Sequence, residues 1–534
     1  MNANTSPSRS SGWLRPISLS ALGQIAGVLV YLVITLGPLV GLSWDLLTRV
    51  CSGQISLMLR PRTWRLLRNS LGLAATVSVL ATVMGTGIAI WTASGEGRLR
   101  YLARRTFILP LLIPPYVYAL TWLVLLRRDG ILNRGLLSLM GAAVSPYGFA
   151  PTALVLAIVF SPIVTLLVLM ALDSIGPEVI ETARVFSDDK RVWYEIVLPL
   201  ALPALLAGMG LVFALTLVEY GVPALLEMNV YSREIFAEFS HSGDPVATMG
   251  LAAPFLVLTV ALVLVSQSRW QQAPLRATPR GRSSLWVLPQ PHPLRLWSCV
   301  SVLALAVGVL VPTIVLLLQT KGISAIWHAA TTAQKEIRFS LALALGTAAA
   351  ATMIAVPSSQ TLSRRGHGWV WALYALPLAI PAPLYAVGLI HLWNRYPALP
   401  LYGSSFMLLL THVGRFLPYA VFALVAQFRQ VDPPLHEAAR LHPVGWLRRA
   451  ITVHVPLLGP GLIACAGIVF VLSLGELGGS LLVVPPGSAT VSLRLFNLLH
   501  YGASETVAGL ALIAILLVGL AGAVAFWLPQ RKRR

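Results

Sequence analysis

The chain has 534 residues, of which 57% are hydrophobic and only 11% are charged, and its mean hydropathy is +0.78. Soluble domains carry roughly a quarter of their residues as charged side chains, so this composition excludes an ordinary soluble protein. The formal net charge of +20 would suit nucleic acid, but we predict no nucleic-acid partner, because basic loops at a lipid surface account for it.

Apolar windows long enough to cross a bilayer recur along the chain. A membrane helix needs about 20 apolar residues. Twelve windows meet this length and predict an all-α polytopic membrane protein, with spans near 22–44, 70–93, 106–126, 149–172, 196–219, 247–267, 297–319, 339–357, 369–392, 405–427, 452–476 and 505–528. The first apolar run is too long for a signal-peptide core, so we expect an uncleaved first helix.

Basic residues predict the orientation of these helices. With both termini in the cytoplasm, the loops on that side carry most of the lysines and arginines, as positive-inside topology requires. Segment 45–69 does not fit, because it lies on the outer side yet contains Arg49, Arg60, Arg62, Arg65 and Arg68. Its role is not apparent from the sequence.

Landmarks in the first part of the chain recur in the second at nearly constant spacing. The corresponding pairs are 109–119 with 376–386, Ser70 with Ser340, Glu181 with Glu437, Pro199 with Pro456, and Glu219 with Glu476. We therefore predict two homologous halves of six helices, residues 1–267 and 297–534, joined by a cytoplasmic linker at 268–296. An even number of helices in each half makes the two repeats parallel rather than inverted.

Two charged stretches occupy equivalent cytoplasmic loops at 174–194 and 428–451. They read ETARVFSDDKRVWYEIVLP from Glu181 and HEAARLHPVGWLRRAITVHVP from His436. Flanking prolines frame a short helix in each and mark where the next membrane helix begins. A short charged helix between two membrane helices suits a docking surface, and two copies imply two docking sites. A solvated loop that meets anionic lipid headgroups is the alternative.

These stretches resemble the EAA loop of ABC importer permeases. Where the family usually has glycine, the first copy has Ser187 and the second has Pro443. The resemblance implies that the two loops dock onto one dimer of separate ATP-binding subunits and that this chain has no enzyme activity. The implied coupling residues are Glu181, Ala183, Arg184, Glu437, Ala438, Ala439 and Arg440.

Segments 218–240 and 475–503 narrow the resemblance to fused permeases for ferric iron, whose relatives carry thiamine or 2-aminoethylphosphonate. This implies a multi-pass protein of the bacterial inner membrane that receives its substrate from a periplasmic or extracellular binding protein. An ion-driven secondary transporter is the second alternative.

Other sequence features limit the chemistry. No lysine follows a glycine, so the chain lacks a P-loop for ATP. The histidines and three cysteines show no metal-ligand spacing, so we predict no bound metal and no cofactor.

Three charged residues at or within apolar segments are candidates for a gate or pathway. Glu219 and Glu476 each follow a membrane helix, at a depth of about 30 Å from its starting proline, near the outer face. Exposure to water is the alternative for both. Arg415 lies inside the tenth window and should face protein or water, either pairing with an acid such as Glu476 or contacting substrate.

Overall fold

All described secondary structure is helical, as the sequence predicts. The computed structural model describes residues 19–53, 61–94, 98–127, 130–141, 143–272, 290–320, 322–364, 368–395, 403–430, 455–499 and 505–531.

The helices of the first part of the chain alternate between long spans and short connecting pieces. They are α1 (Leu19–Cys51), α2 (Pro61–Ala93), α3 (Arg98–Thr106), α4 (Leu109–Leu112), α5 (Pro115–Leu126), α6 (Ile131–Met140), α7 (Phe149–Asp173), α8 (Pro177–Phe186), α9 (Asp189–Arg191), α10 (Leu198–Val218), α11 (Gly221–Leu225), α12 (Tyr231–Ser242) and α13 (Pro245–Gln272). A π-helical turn, Val192–Val197, joins α9 to α10.

The second part follows a similar order. Its helices are α14 (His292–Gln319), α15 (Ile323–Thr332), α16 (Gln334–Arg364), α17 (Gly368–Ala375), α18 (Ala382–Arg395), α19 (Ser405–Gln430), α20 (Val455–Leu474), α21 (Ser480–Val483), α22 (Val491–Leu499) and α23 (Glu505–Arg531). A 3-10 turn, Leu376–Ala379, follows α17.

Nine of the described helices are long and apolar enough to cross a membrane, or up to eleven if each of two bent helix pairs is one span. Twelve spans were predicted, and the difference lies mainly in the third window. Residues 106–126 do not form one helix, because the chain breaks between α4 and α5, and α5 has only 12 residues. The ninth window, 369–392, breaks in the same way and bends by 92°.

Proline explains both breaks. Ile113 and Ile380 precede prolines and have extended backbones, with ψ of 127° and 119°. Proline disfavours the helical conformation of the residue before it and has no N–H to donate to the preceding turn. The repeated LPxxIP sequence thus produces a helix break in each part of the chain.

Two similar bundles form the core. Helix α2 packs against α7 and α10, and α16 packs against α19 and α20. Gly85 allows the closest approach of α2 to α7, since a Cβ there would lie 2.6 Å from the Ser161 carbonyl oxygen. Thr165 Oγ1 donates to the Gly85 carbonyl oxygen across the same contact.

The first long helix of each part packs against the other part. Helix α14 lies on α2, and α1 lies on α16 and α18. The Tyr31 hydroxyl of α1 donates to the Tyr374 carbonyl oxygen at 2.7 Å, and the Tyr385 hydroxyl donates to the Ile34 carbonyl oxygen at 2.6 Å. These exchanged helices tie the two parts of the chain together.

Predicted equivalent residues make matching hydrogen bonds. The hydroxyl of Ser70, on α2, accepts from the backbone N–H of Tyr231 at 2.9 Å. The hydroxyl of Ser340, on α16, accepts from the backbone N–H of Val491, also at 2.9 Å. Each bond fixes the start of a short helix, α12 or α22, against a long one.

Candidate functional site

Glu219 and Glu476 occupy similar turns. Glu219 directly follows α10 and has an extended backbone, and Glu476 lies just beyond the end of α20. Each carboxylate Oε1 accepts a hydrogen bond from a nearby backbone N–H, that of Gly221 at 3.0 Å and that of Gly479 at 2.7 Å. These bonds hold each acid over its own turn. We call residues 216–221 the first turn and 473–480 the second turn.

The two turns contact each other. A Cβ added at Gly478 would lie 3.1 Å from Tyr220 Cδ1, and one added at Gly221 would lie 3.9 Å from Leu477 Cδ2. The residue after each glutamate therefore covers the glycine of the opposite turn. The two acids are thus brought to one contact between the two parts of the chain.

The two helix breaks reach the same place. A Cβ at Gly475 would lie 3.1 Å from Pro114, and one at Gly478 would lie 3.2 Å from the Ala382 Cβ. Irregular backbone within membrane helices is tolerated where it is buried in protein or lines a cavity. Four irregular segments, two turns and two breaks, converge at this contact.

Arg415 pairs with Glu476, which was one of the two alternatives for it. Its Nη1 lies 3.0 Å from Glu476 Oε1, and the side chains retain only 22% and 3% of their exposure. The alternative that Glu476 stands in water is therefore wrong. The depth of either acid in the membrane remains a prediction.

His412, one turn before Arg415 on α19, spans the second turn. Its Nδ1 lies 2.7 Å from Ser473 Oγ and its Nε2 lies 2.9 Å from Ser480 Oγ. All three side chains are buried. The sequence analysis did not assign His412 to the site. The available signal was the spacing of His412 and Arg415, which places two polar side chains on one face of an apolar helix.

The equivalent positions beside the first turn are apolar. In the register that aligns the two parts, Leu156 and Val159 of α7 correspond to His412 and Arg415, and both are buried. Glu219 itself is only half-buried. Arg415 hydrogen-bonds Glu476 and also attracts Glu219 electrostatically, so the two turns share this arginine although α7 has apolar residues at the equivalent positions.

The first charged loop presents an apolar surface. Ile180 is buried against the core, whereas Val185 and Phe186 at the end of α8 are 77% and 82% exposed. A surface groove of about 550 Å³ runs beside them and is lined by Glu178, Val179, Thr182, Ala183, Phe186, Ser187 and Ile196. Large exposed apolar side chains at the end of a charged helix are typical of an interaction site.

Charged residues of α8 are also accessible. Glu181 is exposed, and Arg184 Nε donates to Asp189 Oδ1 at 2.8 Å, which ties α8 to the start of the following helix. The long helix α10 begins at Leu198, beside the expected start at Pro199, and α9 with the π-helical turn extends the span back to Asp189. Trp193 is fully buried within the intervening π-helical turn.

The missing family glycine does not disturb the first loop. Ser187 has φ of −146° and ψ of 153°, an extended conformation that any residue adopts. The second loop's predicted coupling residues, Glu437, Ala438, Ala439 and Arg440, lie outside the described residues.

Ion pairs account for two of the five arginines in segment 45–69. Arg49 binds Asp244 at 2.7 Å, and Arg62 binds Glu234. Burial opposes ionisation of Asp244, but the hydrogen bond from Arg49 holds its pKa below the ordinary value. Arg60 lies outside the described residues.

A third acid, Asp45 of α1, joins the two parts of the chain. It contacts His391 at 2.9 Å and Arg395 at 2.8 Å, both on α18. Ion pairs therefore connect segment 45–69 to later parts of the chain.

No group of three or more histidine, cysteine, aspartate or glutamate side chains could hold a metal ion within the part of the chain that the structure describes. Cys51, Cys299 and Cys465 are free thiols.

A family profile for the inner membrane component of binding-protein-dependent transport systems matches residues 85–268. This segment contains α8 and the first turn.

Known permeases align with part of the chain. The ferric transport system permease protein FbpB of Actinobacillus pleuropneumoniae is 27% identical over 211 residues, covering 39% of this chain and 31% of that protein. The molybdenum transport system permease protein ModB of Azotobacter vinelandii is 32% identical over 167 residues, covering 31% of this chain and 73% of ModB.

One alignment extends over both parts of the chain. The Fe(3+)-transport system permease protein FbpB 2 of Haemophilus influenzae is 24% identical over 469 residues, covering 83% of this chain and 86% of that protein. By contrast, the ferric permease of Actinobacillus pleuropneumoniae and a putative ferric permease of Haemophilus influenzae are matched over only 31% and 33% of their length.

Proposed function

Because the chain belongs to the family of inner membrane components of binding-protein-dependent transport systems, we propose that it is the permease subunit of an ATP-driven importer. One chain supplies both membrane halves, residues 1–267 and 297–534, joined by the linker at 268–296. The matching hydrogen bonds of Ser70 and Ser340 support this division.

Helix α8 is the observation that carries the proposal. It holds an apolar end, Val185 and Phe186, away from the core while Ile180 anchors its other face. In this reading, α8 and the loop at 428–451 dock onto the two ATP-binding subunits in the cytoplasm. Glu181, Ala183 and Arg184 are the coupling residues of the first loop, and Glu437, Ala438, Ala439 and Arg440 those of the second.

The contact between the two turns is the proposed gate. Nucleotide-driven approach of the loops moves α10 and α20, which lead directly from the loops to Glu219 and Glu476. Separation of the turns would open the path toward a loaded binding protein on the periplasmic or extracellular side. Glu219, Glu476 and Arg415 are thus the proposed gate residues. In the same proposal, both termini lie in the cytoplasm.

Ferric iron is the proposed cargo. The support is that a ferric permease aligns with 83% of this chain, whereas the molybdenum permease of Azotobacter vinelandii aligns with 31% of it. Relatives named for ferric and for molybdenum transport both resemble the chain. Thiamine and 2-aminoethylphosphonate are the other candidate cargoes.

Uptake by proteoliposomes tests the machine and the cargo together. The chain would be reconstituted with its ATP-binding subunits and binding protein and supplied with labelled ferric iron, with and without lumenal ATP. We expect ATP-dependent accumulation that molybdate, thiamine and 2-aminoethylphosphonate do not compete. Competition by one of these would correct the cargo, and uptake driven by an ion gradient without ATP would show a secondary transporter instead.

A substitution in α8 tests the docking surface. Phe186→Asp should abolish co-purification of the ATP-binding subunits while changing the unfolding free energy by less than about 0.5 kcal/mol, because the side chain is on the surface. Phe186→Leu keeps the apolar character and is the matched control. Normal subunit binding by Phe186→Asp would remove α8 from the interface.

A further inference from the structure

The second turn is tied at more points than the first. Ser473 and Ser480 stand at its two ends, and His412 bridges them. A neutral imidazole has one donor and one acceptor nitrogen, so it can satisfy both hydroxyls at once. The ring therefore links the end of α20 to the start of α21. We call the two contacts of His412, with Ser473 and with Ser480, the strap.

Arg415 adds a second tie on the same face of α19. It forms an ion pair with Glu476, which lies midway along the turn and also accepts a hydrogen bond from the Gly479 N–H. Charge-assisted hydrogen bonds are about twice as strong as neutral ones. Fixed side chains of α19 thus hold the turn at both ends and at its centre.

A third tie comes from the other part of the chain. The Tyr116 hydroxyl lies 3.0 Å from Ser492 Oγ, which donates to the Leu474 carbonyl oxygen at 2.7 Å. Among the described residues, the first turn has a counterpart of this last bond, from Ser232 Oγ to the Glu219 carbonyl oxygen at 2.6 Å, and Arg415 attracts Glu219 electrostatically. Leu156 and Val159, which stand in for His412 and Arg415, have no polar side-chain atom.

We propose that His412 and Arg415 hold the second turn fixed during transport, so that the first turn supplies the movement that opens the contact between them. His412 and Arg415 are positioning residues in this scheme, acting through Ser473, Ser480 and Glu476. The inference rests on the proposed importer function for the direction of movement, but the strap itself is a property of the resting chain.

Cysteine labelling at matched positions tests the proposal. Tyr220 and Leu477 follow the two glutamates and are equally buried, at 3% exposure each. Tyr220→Cys and Leu477→Cys would be placed separately in a chain carrying Cys51→Ser, Cys299→Ser and Cys465→Ala. Their reaction with N-ethylmaleimide, followed by mass spectrometry, reports local opening of each turn.

The first arm uses the full chain in lipid nanodiscs without nucleotide. His412→Leu, which copies the first half, should accelerate labelling at Leu477→Cys about tenfold and at Tyr220→Cys less than about twofold, because it opens one turn locally. His412→Gln should restore slow labelling, since an amide can donate to one serine and accept from the other. Equal acceleration at both positions, or none at Leu477→Cys, would overturn the strap.

Two variants guard against general loosening of the fold. Ser480→Ala removes one bond of the strap without altering α19 and should also accelerate labelling at Leu477→Cys. Leu156→Ala creates a cavity at the equivalent place in the first half and should leave Leu477→Cys unchanged. If Ser480→Ala has no effect, or Leu156→Ala has the larger one, His412 does not position the turn.

The second arm uses the complex with ATP-binding subunits and binding protein during ATP turnover. Turnover should accelerate labelling at Tyr220→Cys about tenfold and at Leu477→Cys less than about twofold. Equal or greater acceleration at Leu477→Cys, in a complex that transports, would overturn the proposed movement. If the complex shows no ATP-dependent uptake of any tested solute, the importer assignment and the movement fail, while the first arm still decides the strap.

Discussion

The first and second turns have similar backbones but very different side-chain surroundings. Both place a glutamate after a long helix and satisfy it with a nearby backbone N–H. The second turn is hydrogen-bonded by Arg415 and His412 of α19, whereas leucine and valine occupy the corresponding positions of α7, although Arg415 also attracts Glu219. The comparison teaches that duplicated sequence can preserve a turn's geometry while its anchoring diverges.

The largest effect should come from breaking the buried ion pair between Arg415 and Glu476. Arg415→Leu leaves Glu476 as an uncompensated buried charge, which costs about 3–5 kcal/mol. Val159→Leu at the equivalent place should cost less, about 1–3 kcal/mol, because it adds one methylene to a packed position and leaves no charge unpaired. Chemical unfolding in detergent measures both, and equal losses would deny the asymmetry.

The next largest loss of stability should come from replacing a glycine at the contact between the two turns. Gly478→Ala brings a methyl group 3.1 Å from the Tyr220 ring and should cost about 1–3 kcal/mol. Adding Tyr220→Leu should recover part of that loss, with a coupling energy above about 0.5 kcal/mol in a double-mutant cycle. Additive losses would mean that the two turns do not press on each other.

Substitution of two equivalent serines tests whether matching hydrogen bonds contribute equally to stability in the two halves. Ser70→Ala and Ser340→Ala each leave a buried backbone N–H without its acceptor, at a cost of about 1–3 kcal/mol. The two losses of unfolding free energy should be equal within about 0.5 kcal/mol. A clear inequality would show that the halves differ even where their hydrogen bonds match.

The smallest effect concerns two ion pairs with reversed polarity. Arg62 on α2 pairs with Glu234 on α12, whereas Glu336 on α16 pairs with Arg494 on α22. Glu234→Arg should cost about 0.2–1 kcal/mol because Arg62 is mostly exposed, and adding Arg62→Glu should restore stability. Failure of the double variant to recover would show that the polarity is fixed by other neighbours.

The sequence predicted most of the fold because apolar length and repeated prolines are local signals. Pairing of Arg415 with an acid such as Glu476 was one of two alternatives that the sequence left open, because an arginine inside an apolar segment needs a partner. The strap of His412 was missed because its partners, Ser473 and Ser480, lie more than sixty residues away and serine carries no distinctive pattern. The break at Ile113 was underestimated because hydropathy averages over the prolines that cause it.

The exchanged packing of α1 has a consequence for biosynthesis. Its partners α16 and α18 are made only after residues 52–333, which takes the ribosome about 15–60 s at 5–20 residues per second. During that interval Asp45 lacks its ion-pair partners His391 and Arg395, and the Tyr31 hydroxyl lacks its acceptor, the Tyr374 carbonyl oxygen. A chain whose synthesis stops after α13 would therefore leave Asp45 and the Tyr31 hydroxyl without these partners, and such unpaired polar groups are a signal by which quality-control proteases recognise an unfinished product.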